Sequence, residues 1–154
     1  MSATVDANIL VYASNQADPV HEQAIELVLR LAAGPDLLYL FWPVVLGYLR
    51  IVTHPAVLPR PLSAADATSN AGALVGLPHV RTPGEADGFW ALFRQTSRDL
   101  ARGNDVPDAH VVTLMRQHGV RRIYSRDAGL RRYADIEVVD PFAPAPRSAR
   151  RVRR

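Results

Sequence analysis

The run Leu37-Leu38-Tyr39-Leu40-Phe41 has no charged or strongly polar position on either alternating face. A strand of that kind is buried on both sides, as in a parallel sheet covered by helices. Its neighbours agree. Upstream, Ala24, Ile25, Val28, Leu29 and Ala32 form a helical stripe over His21–Ala33, stopped by Gly34-Pro35. Downstream, Pro43 opens a second helix through Val44, Val45, Leu46, Leu49, Ile51 and Val52. Thr4-Val5, Val120–Ser125 and Ile136–Val139 read as further strands, and His79–Thr82 as a weak one. Ser63-Ala64-Ala65-Asp66 resembles a capping box and starts a helix over 64–75. Pro83-Gly84-Glu85-Ala86 opens another helix through Phe93, residues 105–118 form the next, and Ala128–Tyr133 is a short helical piece. Helices alternating with short strands predict a three-layer α/β domain with a mainly parallel central sheet of four or five strands.

Composition bounds the chemistry. With no cysteine, disulfides, thiolate metal sites and a cysteine nucleophile are excluded. No apolar run approaches the ~20 residues that span a bilayer, and the N-terminus has no basic flank before its apolar run. A cytoplasmic protein without membrane association is expected. All 18 basic residues are arginine, and five of them (Arg147, Arg150, Arg151, Arg153 and Arg154) lie in the last eight positions. Without these, 13 basic residues face 15 acidic ones. The expected division is a folded domain over 1–142 and a flexible Pro/Arg-rich tail over 143–154. Such a tail binds nucleic acid or an acidic partner, or is simply solvated.

Three aspartates fall where ligands of parallel sheets gather. Asp6 ends the first strand, in Asp6-Ala7-Asn8, and Asp127 follows the strand that ends at Ser125. Asp108 lies in Asn104-Asp105-Val106-Pro107-Asp108-Ala109-His110, the mouth of a helix. There Asp105 reads as the N-cap and Asp108 as a first-turn acid favoured by the macrodipole. Asn8 is placed to cap its own turn or to hydrogen-bond Asp6. Carboxylates gathered at one sheet edge repel each other unless a cation sits among them. Mg²⁺ prefers oxygen ligands, keeps several waters and needs only one or two carboxylates directly. Such a site supports in-line attack of water on a phosphodiester.

The chain resembles the PIN-domain ribonuclease toxins, the VapC-like half of bacterial toxin–antitoxin pairs. The likeness rests on Val5–Tyr12, Trp42–Pro55, Gly103–His110, Tyr124–Asp127 and Leu130–Tyr133, in family order and spacing, and extends to about Pro141. It implies a PIN-like fold and a Mg²⁺-dependent endoribonuclease, with Mn²⁺ as the alternative ion. It also implies an RNA substrate, a VapB-like antitoxin covering a groove on the toxin, and a homodimer. By the same resemblance Asp6 and Asp108 are the principal metal ligands and Asp127 a further acid. Ser125 and Asn8 are then polar supports for the carboxylates or a water.

One position departs from the family pattern. Gly47 stands where many members carry a glutamate on the second helix. Asp105 is the nearest replacement ligand, although capping is the simpler role for it. Arg50, three residues beyond Gly47, shares its helix face and is expected to pair with one of the acids or to contact phosphate. His110, two residues after Asp108, points to a different face. For Trp42, Phe89, Trp90 and Phe93, core packing is the default, with a partner groove as the alternative for Trp90 and Phe93. Two rival functions follow: a catalytically weak or silent PIN module that binds RNA or antitoxin, and a metal-dependent phosphatase.

Overall fold

The computed structural model describes residues 1–98 and 101–144, so the arginines of the tail lie outside it. The chain order is β1 (Ala3–Val5), α1 (Ala7–Ser14), α2 (His21–Ala32), β2 (Leu38–Tyr39), α3 (Trp42–Val52), α4 (Ala64–Val75), β3 (Val80–Arg81), α5 (Phe89–Ser97), α6 (Asp105–Gln117), β4 (Arg122–Tyr124), a 3₁₀ turn (Ala128–Arg132) and β5 (Glu137–Val139). The five strands form one sheet in the order β3-β2-β1-β4-β5, every pair parallel. Thr4 pairs with Tyr39 on one side and with Ile123 on the other. Helices flank the sheet, as the apolar character of Leu37–Phe41 requires: Leu38, Leu40 and Phe41 are each at most 1% exposed.

Because the strands are only two or three residues long, their ladders contribute few hydrogen bonds, and packing carries the fold. Val5, Ile9, Phe41, Val112, Leu114, Met115 and Ile123 are among the fully buried members of one hydrophobic core. Each such side chain contributes about 1.5–3 kcal/mol when fully buried. Among the described residues no helix is long and apolar enough to cross a membrane.

Local signals set most helix boundaries. Ser63 Oγ accepts from the Asp66 N–H at 3.0 Å and starts α4 where the capping box predicts. Two boundaries differ from the sequence reading. Helix α5 begins at Phe89, behind Gly88 at φ +79°, and not at Pro83–Ala86. The end of α6 holds that segment out: Gln117 Nε2 donates to the Ala86 and Asp87 carbonyls, Gln117 Oε1 accepts from the Ala86 N–H, and His118 Nε2 lies 2.9 Å from the Gly84 carbonyl. Helix α6 is preceded by Asn104, not Asp105, as its N-cap, and no side chain caps it. At Gly34, with φ +80°, a Cβ would fall 2.5 Å from the His79 ring, so the end of α2 passes against the approach to β3 only because no side chain is present.

Candidate active site

The strand order reverses direction between β1 and β4: the chain moves outward from β1 through β2 to β3, then returns to lay β4 and β5 on the other side. A crevice opens at such a switch point, outside the carboxyl ends of the strands. Asp6 follows β1, and its N–H donates to the Tyr124 carbonyl at 3.0 Å, extending the β1–β4 ladder by one bond. Ser125 and Asp127 follow β4 at the same edge. The sheet thus brings together residues 119 positions apart.

Ser125 joins the two strand ends. Its side chain is 1% exposed, its Oγ donates to Asp6 Oδ2 at 2.9 Å, and the same oxygen accepts from the Asp127 N–H at 2.9 Å. Asp127 caps the 3₁₀ turn, its Oδ1 accepting from the Gly129 N–H at 2.7 Å. This turns the segment back after β4. Burial pushes the Asp6 carboxyl above the usual range, opposed by the Ser125 hydrogen bond, while the Asp127 charge adds to the rise.

Asp108 reaches the cluster from the first turns of α6. Its pKa is raised to about 6, first by burial, then by the charges of Asp127 and Asp6. The charge of Asp127 thus acts on both Asp6 and Asp108, and that of Asp6 on Asp108, which places the three carboxylates at one site. Among the described residues, no group of three or more His, Asp or Glu side chains is arranged to hold a metal ion by itself. What the site offers is carboxylate oxygen from Asp6, Asp108 and Asp127. This donor set suits a hard cation that retains most of its waters, not a fully coordinated ion cage.

The supporting residues divide. Asn8 is exposed, and its side chain hydrogen-bonds no described residue; its backbone N–H, with that of Ala7, favours the charged form of Asp6. Asp105 is not the cap but an ion-pair partner: Arg132 Nη2 donates to its Oδ1 at 3.0 Å and holds its carboxyl below the ordinary range. Arg132 is itself positioned by donating Nε to the Gly129 carbonyl at 2.7 Å and by lying 5.8 Å from the Tyr133 ring centroid. Its charge opposes the rise at Asp108. The expected pairing of Arg50 does not occur: that side chain is exposed on α3 and forms no ion pair with a described residue. Arg132 takes the role instead. The sequence held no signal for this choice, since 131 and 132 are both arginine and only the 3₁₀ turn selects between them.

Gly47 faces the start of α1, where an added Cβ would lie 3.5 Å from Ala7 Cβ. A side chain at this position would thus begin in ordinary van der Waals contact with α1, one residue after Asp6 in sequence. His110 is directed away, 2.6 Å from Glu85 and edge-on to Phe89 at 5.3 Å. The default core placement fails for two aromatics, since Trp42 is 42% and Trp90 66% exposed, the latter stacked on Phe93 at 5.8 Å. On α5 the inward positions go to the part-buried Phe89, Leu92 and Phe93 and to the buried Thr96, which leaves Trp90 outside. A separate cleft of about 510 Å³ lies among α1, α2, α3 and α4, lined by Leu10, Ile25, Leu29, Val45, Tyr48 and Leu74 among others, and none of the three acids borders it.

Comparison with known proteins adds to this geometry. No protein-family model matches the sequence. The chain is 49% identical over 144 residues to Ribonuclease VapC48 of Mycobacterium tuberculosis, covering 93% of this chain and 99% of that protein. In fold it is similar to the crystal structure of Mycobacterium tuberculosis VapC20, a sarcin-ricin loop cleaving toxin, with a TM-score of 0.62 at 20% identity over 84% of this chain and 93% of that one. It is also similar to VapBC2 from Rickettsia felis bound to a DNA fragment of its promoter, with a TM-score of 0.65 at 12% identity over 90% and 98% of the two chains.

Proposed function

We propose that this chain, which belongs to the VapC family of ribonucleases, is the toxin of a toxin–antitoxin pair and cuts RNA as a Mg²⁺-dependent endonuclease. The observation that carries the reading is the coupling of Asp6, Asp108 and Asp127 at the β1–β4 switch point, with Ser125 fixing the first and third. Asp6 and Asp108 would hold the ion, and Asp127 would act as a further acid of the site. Mg²⁺, when bound, supplies Lewis-acid stabilisation of the phosphate and a water made more acidic for attack; Mn²⁺ supplies the same. Ser125 orients the Asp6 carboxylate and favours its charged form against the effect of burial. Arg132 neutralises Asp105, so that the negative charge of the site is concentrated where the cation binds.

The partners follow from surfaces outside the site. The apolar cleft among α1–α4 suits an apolar segment of a VapB-like antitoxin, with the Ser14, Tyr48 and Asn70 polar groups on its wall. The solved structures similar in fold include a toxin–antitoxin complex, which supports this reading. Trp42 and Leu46, one turn apart on α3, and Trp90 on α5 are exposed apolar groups that a homodimer would cover.

Gly47 favours a second reading, a PIN module that binds RNA without cutting it. Purified protein incubated with structured RNA in Mg²⁺, Mn²⁺ or EDTA separates the two. Cleavage that is lost in EDTA and in Asp108→Ala supports the nuclease. Binding without cleavage under all three conditions supports the silent module, and phosphate release from small esters without RNA cleavage supports a phosphatase.

A further inference from the structure

The acids of the site would repel the polyanion it is proposed to cut, so substrate entry requires positive charge close by. Arg132 is committed to Asp105. Arg126 stands between Ser125 and Asp127, the two residues that tie β4 to Asp6. It is exposed and forms no ion pair with any described residue, although Asp127 follows it directly. Its guanidinium rests on two rings instead, 5.9 Å from the Tyr12 centroid and 5.8 Å from that of Phe142. Those rings come from α1 and from the segment after β5, and they pack edge to face at 6.0 Å and 73°. Cation–π contact with two rings at once restricts where the guanidinium sits while leaving its N–H donors for a ligand. A guanidinium held near the acid cluster by two rings offers paired N–H donors that match the oxygens of a phosphate diester.

We propose that Arg126, seated on Tyr12 and Phe142, binds a backbone phosphate of the RNA flanking the one that is cut. This rests on the RNA reading above, and it adds a substrate contact distinct from the Arg132–Asp105 pair. The contact is to the backbone, so it orients the strand without reading its bases.

The test measures binding of a short fluorescein-labelled single-stranded RNA of mixed sequence to the full chain in EDTA, as a function of salt. One phosphate contact to a single strand accounts for about 0.7 in the slope of log affinity against log salt. Arg126→Gln should lower the slope by that amount, Arg126→Glu by at least as much, and Arg126→Lys should keep it. In Mg²⁺, Arg126→Gln should raise KM about tenfold with kcat nearly unchanged, as loss of uniform binding does. An unchanged slope in both Arg126→Gln and Arg126→Glu overturns the inference; if the wild-type chain still cuts RNA in Mg²⁺, the nuclease reading survives that failure. A wild-type chain that binds RNA with a slope reduced by Arg126→Gln, yet never cuts it, overturns the nuclease reading and leaves the phosphate contact standing.

Discussion

Asp108 stores strain that its removal should release. Its folded pKa, about 6, stands above the ordinary 3.8, chiefly through burial and then through the charges of Asp127 and Asp6. The unfolded chain therefore ionises Asp108 first as pH rises. Between pH 3.8 and 6 the native state binds more protons than the unfolded state, so this group's contribution to stability falls with pH and levels off above 6. A shift of this size corresponds to roughly 3 kcal/mol, and solvent around a half-buried group reduces it to about 1–2 kcal/mol. Asp108→Asn keeps the shape and removes the charge. In EDTA at pH 7.5 it should stabilise the protein by about 1–2 kcal/mol, a rise of roughly 2–8 °C in Tm for a chain of this size. At pH 3.5, where the native carboxyl is already protonated, the gain should vanish. Added Mg²⁺ should then reverse the order, stabilising wild type through binding to the native state and leaving the variant behind. Thermal and urea unfolding at the two pH values measure this directly. A variant that is no more stable than wild type at pH 7.5, or equally stabilised at both pH values, would refute the electrostatic account of the site.

Other consequences are simpler to state. Ser125→Ala removes the donor to Asp6 Oδ2 and strands the Asp127 N–H; urea unfolding should show a loss of about 1–3 kcal/mol, and RNA cleavage should fall with it. Gly34→Ala sets a side chain into the His79 ring at positive φ and should cost about 2 kcal/mol or more by the same assay. At Gly47 an added Cβ would meet only Ala7 Cβ, at ordinary van der Waals distance, so Gly47→Ala should stabilise by about 0.5–1 kcal/mol, whereas Gly47→Glu should tighten Mg²⁺ binding measured by calorimetry. Deleting residues 147–154 should flatten the salt dependence of RNA binding if those arginines touch phosphate, and an unchanged slope would assign them to solvent.

The architecture was legible because its signals were local and mutually consistent. The wholly apolar Leu37–Phe41 implied a covered strand, Ser63 and Asp66 marked α4, and Asp6 and Asp127 marked strand ends. Where the sequence misled, a distant contact overruled a local preference. Pro83–Ala86 has the makings of a helix start, but Gln117 and His118, some thirty residues on, take its backbone groups into a loop. Trp90 has the apolar character of a core residue, yet Phe89, Leu92 and Phe93 already occupy the inward side of α5.

The same distinction governs the site. Which acids gather was readable, because strand ends and a helix mouth sit at fixed addresses in a parallel sheet. Which cation opposes them was not. Arg50 shares a helix face with Gly47, and on spacing alone it was the candidate; Arg132 is reached only because Asp127 caps a 3₁₀ turn that brings the chain back toward α6. That turn makes Asp127 part of the support as well as an acid of the cluster. Its Oδ1 holds the Gly129 N–H, and Gly129 in turn holds Arg132. Removing the Asp127 side chain would then disturb the site twice, once through lost charge and once through a misplaced Arg132. Asp127→Asn retains an acceptor for the cap while removing the charge, and Asp127→Ala removes both. The difference between the two variants in the Asp105 pKa, followed by carboxyl NMR, isolates the structural share. If Asp105 titrates identically in both, Asp127 acts by charge alone and the turn does not depend on it.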